Sequence, residues 1–253
     1  MLPFLKEIPI LTKSFAQKRT NCLLFNYDEL MRSLKTISGL ISQIANLTRP
    51  PVIFAGVISH RSLSELKSKM KNNLILAGSN GFEIDGSGFS WAFPQLGFIR
   101  HQLEQLVDTI TLEIGPAWTK HNAKITGVEL SISIPSNDRY IFNILSPMIR
   151  RALSGSLLSA QQTTDKIQVS PTVHWDKQML VRKIVDLLPH ESGLSPVIYY
   201  FGSEISDEPA FREANLYGYS VLLRENIGRK TNARYYLRNN QELNKMLIWL
   251  NAI

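Results

Sequence analysis

The fold class of this chain is decided by Leu23-Leu24-Phe25-Asn26-Tyr27-Asp28-Glu29-Leu30, residues 23–30, an apolar run that ends in polar side chains. Such a run is typical of a buried strand of a parallel sheet. Because the carboxyl ends of strands in open α/β sheets face the ligand crevice, we expect Asn26 and Asp28 to lie at a functional site. An aspartate at the first of these positions could act as a nucleophile, whereas the amide of Asn26 is a poor attacking group.

The segments on either side repeat the same pattern. Residues 30–44 have helical spacing, residues 51–58 read as a second buried strand, residues 63–70 as a helix, and residues 73–77 as a third strand. This alternation predicts a parallel sheet with right-handed crossovers.

The middle of the chain has a different character. Residues 98–114 and 140–153 have helical spacing, while residues 128–134 alternate apolar and polar side chains like a half-exposed strand. The first pattern returns after residue 171. We therefore predict an α/β fold with a doubly wound parallel sheet core, formed by residues 1–85 and 171–253, and an inserted α+β cap domain at residues 86–170.

Composition narrows the function classes. The 253 residues are 44% hydrophobic and carry a net charge of +7, but the 28 basic residues are dispersed and match no nucleic-acid-binding motif. No apolar stretch reaches the length of about 18 residues that a membrane span needs. The single cysteine, Cys22, favours a reducing cytoplasm. We expect neither a nucleic acid nor a membrane as partner.

Polar residues recur at the predicted strand ends. Asn26 and Asp28 follow the first strand, Ser59 the second, and Ser203 and Glu204 a later one, while Lys177 opens the helix after the insert. A carboxylate pair, a hydroxyl, a lysine and an acidic cluster are the parts of a Mg²⁺-dependent phosphotransferase.

Six segments resemble, in order, the motifs of the trehalose-6-phosphate phosphatase family of the haloacid dehalogenase (HAD) superfamily. They are Asn26-Tyr27-Asp28-Glu29-Leu30 for D-x-D-G-T, Ser59-His60-Arg61-Ser62 for S-G-R-S, Gly78-Ser79-Asn80-Gly81-Phe82-Glu83 for G-S-H/N-G-x-E, Lys177 for the lysine of D-K-G, Gly202-Ser203-Glu204-Ile205-Ser206-Asp207-Glu208-Pro209-Ala210-Phe211 for G-D-D-x-T-D-E-x-A-F, and Thr231, Ala233, Tyr235 and Leu237 for T-A-x-Y-x-L.

The resemblance implies a role for each matched position, and Mg²⁺ as the cofactor. The implied roles are nucleophile for Asn26, general acid or base for Asp28, phosphate binding for Ser59, Arg61 and Lys177, and metal binding for Ser203, Glu204 and Asp207. The implied ligand is a sugar phosphate such as trehalose 6-phosphate.

The departures from the family pattern fall on the chemistry. Asn26 replaces the nucleophile, Ser203 replaces the first acid of the metal motif, and His60 replaces a glycine beside the phosphate. Loss of a catalytic nucleophile costs roughly a millionfold in turnover in well-studied hydrolases. In the cap, the positions that meet the sugar in the family align with Lys124, Thr126, Ser133 and Pro135. Little of the sugar-reading set survives.

Several matched residues also have plain structural explanations. Asp28 could be a turn aspartate, Ser59 a helix N-cap, and Arg61 a surface charge. Asp207 and Glu208 could stabilise the first turn of a helix through its dipole.

Two functions follow as hypotheses. The first is a catalytically impaired pseudophosphatase that binds a sugar phosphate or a partner protein, which by analogy would be a trehalose-6-phosphate synthase. The alternative is an active Mg²⁺-dependent phosphatase with a rearranged site, in which Glu204 and Asp207 hold the metal, Asp28 serves as acid or base, and water attacks directly.

Overall fold

The structure is a computed structural model that describes residues 1–7, 19–28, 30, 37–50, 52–70, 73–86, 88–135, 139–223, 228 and 230–252. The strands are β1 (Leu2–Pro3), β2 (Asn21–Asn26), β3 (Ile53–Ile58), β4 (Ile75–Gly78), β5 (Glu83–Gly86), β6 (Phe89–Ala92), β7 (Ala123–Thr126), β8 (Glu129–Ser133), β9 (Leu158–Gln162), β10 (Lys166–Pro171), β11 (Val197–Gly202), β12 (Tyr219–Leu222) and β13 (Tyr235–Tyr236). The helices are α1 (Ile37–Leu47), α2 (Leu63–Lys69), α3 (Leu96–Ile114), α4 (Pro116–Asn122), α5 (Arg139–Ala152), α6 (Lys177–Leu187), α7 (Glu208–Tyr217) and α8 (Asn240–Ala252).

The chain divides into two compact units. The first contains residues 1–59, 63–91 and 175–253, and the second contains residues 60–62 and 92–174. The domain boundaries after residue 85 and before residue 171 stay a prediction.

The first unit is built on a nine-stranded sheet in the order β1-β13-β12-β11-β2-β3-β4-β5-β6. Along this order, every pair of neighbouring strands from β1 at the edge to β4 is parallel. β5 runs antiparallel to β4. Since side chains alternate along a strand, Leu23 and Phe25 of β2 join one buried cluster with α1 and α8, while Cys22 and Leu24 join another with α6 and α7. Helices thus cover both faces, and the predicted doubly wound parallel sheet is confirmed.

The order of the strands positions the site. β2 lies between β3 and β11, so Asn26, Ser59 and Gly202 all stand at the carboxyl edge of neighbouring parallel strands. The helix predicted over residues 30–44 is described as α1 from Ile37, and residues 31–36 lie outside the described part of the chain.

The second unit contains an antiparallel sheet in the order β7-β8-β10-β9, with α3, α4 and α5. Leu130 and Ile132 of β8, Ile167 and Val169 of β10, and Leu158 of β9 are buried on one face. The sequence patterns predicted β8, α3 and α5 but not β7 and β9, which lack an apolar run. None of the helices in the described ranges combines the length and hydropathy needed to cross a membrane.

Candidate active site

The end of β2 brings Asn26 against a carboxylate. Asn26 is 2% exposed, and its Nδ2 lies 3.1 Å from Oδ1 and 3.2 Å from Oδ2 of Asp207. An ionised carboxylate only accepts hydrogen bonds, so the NH₂ end of the amide must face it. The residue at the nucleophile position is therefore a donor to Asp207.

Asp207 is the centre of a buried hydrogen-bond network. Its Oδ1 accepts from Lys177 Nζ at 2.7 Å and from the Tyr200 hydroxyl at 2.8 Å. Its Oδ2 accepts from the backbone N–H groups of Ser203 and Glu204, both at 2.9 Å. Together with Asn26, five residues donate to this one fully buried carboxylate. Such a charge is stable inside a protein only with this degree of hydrogen bonding and a cationic partner.

Lys177 also binds the turn that follows β11. Its Nζ lies 2.9 Å from Ser206 Oγ and 3.9 Å from Glu204 Oε2, and its side chain is 11% exposed. The lysine assigned to phosphate is thus held as the counter-ion of Asp207 and Glu204. Asp176 caps the helix that carries it, because its side chain accepts from Met179 N.

Tyr200 completes the network from the strand side. Burial, and after it the Asp207 carboxylate, raise the pKa of this phenol well above its usual value. The hydroxyl therefore remains a donor to Asp207 throughout the neutral range. Sequence reasoning missed this residue, because Tyr200 lies in the apolar run before Gly202 and belongs to none of the matched motifs.

Gly202 lets Asp207 approach the backbone at the end of β11. A Cβ placed on this glycine would lie 2.5 Å from Asp207 Oδ2. The G-x-x-x-x-D spacing within the motif therefore has a steric reason. Asp207 directly precedes α7, and of the two acids predicted for the first helical turn only Glu208 lies in it.

Asp28 and Ser59 meet on the other side of β2. The Ser59 hydroxyl is buried and donates to Asp28 Oδ1 at 2.8 Å. Since α2 begins only at Leu63, Ser59 is not the N-cap of this helix. The predicted acid or base is therefore a hydrogen-bonded carboxylate at the carboxyl edge of the sheet.

The segment after β4 forms a tight left-handed turn. Ser79 and Asn80 have φ values of 52° and 55°, which non-glycine residues seldom adopt. The turn is held by Glu83, whose Oε1 accepts from Ser79 Oγ and from Leu63 N, both at 2.8 Å. Glu83 thus satisfies a free N–H at the start of α2, which gives the last residue of the G-S-N-G-F-E match a structural function.

Other predicted residues lie in the second unit. Arg61 falls in residues 60–62, which group with that unit, so its proximity to the strand-end cluster stays a prediction. Lys124, Thr126 and Ser133 lie on the sheet face opposite the one where Leu130 is buried. Pro135 follows β8 and is exposed.

The C-terminal motif is connected to the acidic motif by Glu208. Its Oε2 accepts from the backbone and side-chain nitrogens of Asn232, at 2.6 and 3.0 Å. Asn232 lies between the matched Thr231 and Ala233, so this contact orders the segment that leads into β13.

The donor set does not fit Mg²⁺. This ion needs near-ideal octahedral oxygen coordination. Here Asn26 turns its NH₂ toward Asp207, whose oxygens already accept from five residues, and Ser203 offers no carboxylate. Within the described ranges, no group of three or more His, Cys, Asp or Glu side chains could hold a metal ion.

The curated proteins with similar sequences include several trehalose-phosphate phosphatases. No protein-family model matches the chain. It is 24% identical over 207 residues to trehalose-phosphate phosphatase B of Arabidopsis thaliana, which covers 76% of this chain and 54% of that protein. It is 28% identical over 181 residues to trehalose-phosphate phosphatase of Mycobacterium tuberculosis, covering 66% of this chain and 43% of that protein. The chain thus spans about half the length of the curated relatives it matches.

Solved structures show the same fold. The C-terminal domain of Candida albicans trehalose-6-phosphate phosphatase superposes with a TM-score of 0.62 at 17% identity and 96% coverage of both chains. The C-terminal domain of the Candida albicans trehalose synthase regulatory protein superposes with a TM-score of 0.57 at 16% identity and 99% coverage of both. The chain is therefore similar in sequence to trehalose-phosphate phosphatases, and it shares the HAD-like fold of the solved trehalose-6-phosphate phosphatases.

Proposed function

We propose that this protein is a pseudophosphatase, which binds a sugar phosphate or a partner protein without hydrolysing a phosphoester. One observation carries the proposal: the residue at the nucleophile position, Asn26, donates its amide to the buried Asp207 carboxylate. An amide is neutral and its nitrogen lone pair is delocalised into the carbonyl, so Asn26 lacks the negative charge that makes an aspartate an effective nucleophile toward phosphorus.

The surroundings of Asp207 support the same conclusion. Lys177 lies 2.7 Å from this carboxylate and balances its charge, as a divalent cation does where several carboxylates converge. Ser203, at a position implied to bind metal, contributes its backbone N–H to Asp207. The cluster is electrostatically compensated by the chain's own groups.

The remaining polar groups favour ligand binding. Asp28, with its bond from Ser59, and Glu204, with its bond from Ser206, could accept hydrogen bonds from sugar hydroxyls. Arg61 and Lys177 are the predicted phosphate partners. Trehalose 6-phosphate is the first ligand to test, because the curated relatives are trehalose-phosphate phosphatases.

A protein that binds a sugar phosphate or a partner without hydrolysing a phosphoester would act as a regulator. One structural neighbour is the C-terminal domain of a trehalose synthase regulatory protein. We therefore infer a trehalose-6-phosphate synthase as the partner to test, and the cytoplasm as the compartment. The free thiol of Cys22, the single cysteine, supports a reducing compartment.

Phosphate release tests whether hydrolysis occurs. Wild type, Asn26→Asp and the double variant Asn26→Asp, Ser203→Asp are assayed with trehalose 6-phosphate, sucrose 6-phosphate and glucose 6-phosphate in millimolar Mg²⁺. We expect no turnover by wild type above the buffer rate. Turnover by wild type that Asp28→Ala abolishes would instead establish the active phosphatase, with water as the attacking group.

Thermal unfolding tests whether binding survives. Trehalose 6-phosphate should raise the Tm of wild type, because a ligand that binds only the folded state stabilises it. Trehalose without phosphate is the matched control, and Lys177→Met should reduce the shift. Equal shifts for trehalose and its phosphate, or no shift for either, would remove the sugar-phosphate ligand and leave the protein partner as the function.

A further inference from the structure

The β9 strand has an open edge. It ends the sheet of the second unit and pairs with β10 on one side, and no strand among the described residues pairs with its other side. Proteins protect such edges with charged residues, proline or bulges. The side chains of β9 are uncharged throughout, whereas the opposite edge strand, β7, carries Lys124.

The register identifies the main-chain groups that face outward. Thr163 N donates to Lys166 O at 2.8 Å, and Thr172 N donates to Leu157 O at 2.8 Å. Hydrogen-bonded and non-hydrogen-bonded positions alternate in an antiparallel pair, so Ser159 and Gln161 bond β10. The N–H and C=O groups of Ala160 and Gln162 therefore point away from β10.

A groove runs beside this edge. A cavity of about 440 Å³ is lined by Ala160 and Gln162 on one side and by Arg150 of α5 on the other. It shares Arg150 and Ser154 with a second cavity, of about 430 Å³, which Arg151 also lines. The Ser146 hydroxyl donates to Gln162 Oε1 at 3.0 Å and fixes α5 next to the strand.

The groove is basic. Arg150 and Arg151 are exposed, and none of the residues that line the two cavities carries a carboxylate. Both arginines stand in the last turn of α5, where the helix dipole favours cations. Their exposed side chains can reach carboxylates of a bound segment, because each guanidinium carries five N–H donors in a fork that matches a carboxylate.

We propose that this groove binds an acidic, extended segment of a partner protein, which adds a strand to the free edge of β9. The main chain of the segment would pair with Ala160 and Gln162, and its carboxylates would meet Arg150 and Arg151. The site lies within the second unit and does not depend on the chemistry at the end of β2.

Hydrogen exchange with a peptide probe tests the proposal. The probe is a short synthetic peptide of alternating valine and glutamate, added to the full chain. In the free protein the amides of Ser159 and Gln161 should exchange slowly and those of Ala160 and Gln162 rapidly. The probe should protect Ala160 and Gln162 selectively. A peptide with lysine in place of glutamate, and one N-methylated at alternate residues, should give no protection.

Variants separate the contribution of main-chain pairing from that of the two arginines. Ala160→Pro removes one outward N–H without breaking a bond to β10, and should weaken peptide binding at least about tenfold. Arg150→Glu with Arg151→Glu should weaken it as much, whereas Lys120→Glu, on α4 of the same unit, should leave it within about twofold. The N-methylated probe needs no change in the protein, so the test holds even if a variant folds poorly.

Three results would overturn the proposal. They are no saturable binding of the acidic peptide, binding that the N-methylated peptide reproduces, and binding that the arginine variants leave unchanged. A concentration-dependent dimer of wild type that Ala160→Pro abolishes would assign the edge to a second copy of this chain instead.

Discussion

Asn26→Asp places a second carboxylate beside Asp207. The Asn26 Nδ2 that it replaces lies 3.1 Å from Asp207 Oδ1 and donates to it. An ionised carboxylate cannot donate, so the substitution exchanges a hydrogen bond for contact between two anions. The change that restores the family residue should therefore destabilise this protein.

Two limits set the size of the effect. Two unit charges 3.1 Å apart repel by about 5 kcal/mol at an effective dielectric constant of 20. Protonation of the introduced carboxyl, from a reference pKa of 3.9, costs about 4 kcal/mol at pH 7 and restores a donor. The cheaper route prevails and Lys177 offsets part of the repulsion, so we expect a loss of about 2 to 4 kcal/mol at pH 7.

The loss should depend on pH with a definite sign. The neighbouring carboxylate raises the pKa of the introduced group in the folded state, so the folded state binds more protons than the unfolded state. Destabilisation then grows as the pH rises above about 3.9, and at pH 5 it should be no more than about 1.5 kcal/mol. Urea unfolding of both proteins across this range measures the difference.

A double-mutant cycle with Asp207→Asn provides the control. The double variant, with Asn26→Asp and Asp207→Asn, keeps a single carboxylate at this contact and moves it from position 207 to position 26. Its loss of stability should therefore be smaller than the sum of the losses of the two single variants. Additive losses, a loss below about 0.5 kcal/mol at pH 7, or a loss that grows toward acid pH would refute the reasoning.

Three further predictions use the same unfolding measurement. Gly202→Ala should cost about 1 to 3 kcal/mol, because its Cβ would overlap Asp207 Oδ2, and full wild-type stability would contradict the contact. Asp176→Ala should cost about 1 kcal/mol through loss of the bond from Met179 N, an effect that Asp176→Asn should largely avoid. Tyr200 has a raised pKa, so its contribution is present below its unfolded value of 10.0 and is lost at higher pH. Tyr200→Phe should therefore flatten the alkaline loss of stability, and an unchanged slope would exclude the effect.

The sequence predicts the strands and helices of the central sheet well, because each of them has a clear pattern in its own residues. β2, β3 and β11 are apolar runs, and the helices between them have clear periodicity. The short β9 has the sequence Leu-Ser-Ala-Gln-Gln, with a weak apolar pattern, and its place is set by pairing with β10. Edge strands of this kind depend on register more than on composition.

The sequence predicts which residues form the candidate site, but it does not predict the hydrogen bonds between them. Asn26, Lys177 and Asp207 each stand in a recognisable motif, yet the bonds that join them span 181 and 30 positions along the chain. Glu213 of α7 is likewise bonded to a residue distant in the sequence. It is buried and accepts from Nε of Arg182, on α6, at 2.8 Å. Periodicity and motif spacing carry no information about such partners.

Single-turnover hydrolysis tests the absence of a working nucleophile most directly. Wild type in excess over labelled trehalose 6-phosphate, with Mg²⁺, is followed for release of labelled phosphate, with Asp28→Ala as the matched control. We predict that both proteins release phosphate at the same background rate, because Asn26 is a neutral amide that donates to Asp207 and no carboxylate stands at the nucleophile position. A wild-type rate well above that of Asp28→Ala would contradict this, and would show that the strand-end cluster is a working phosphatase site.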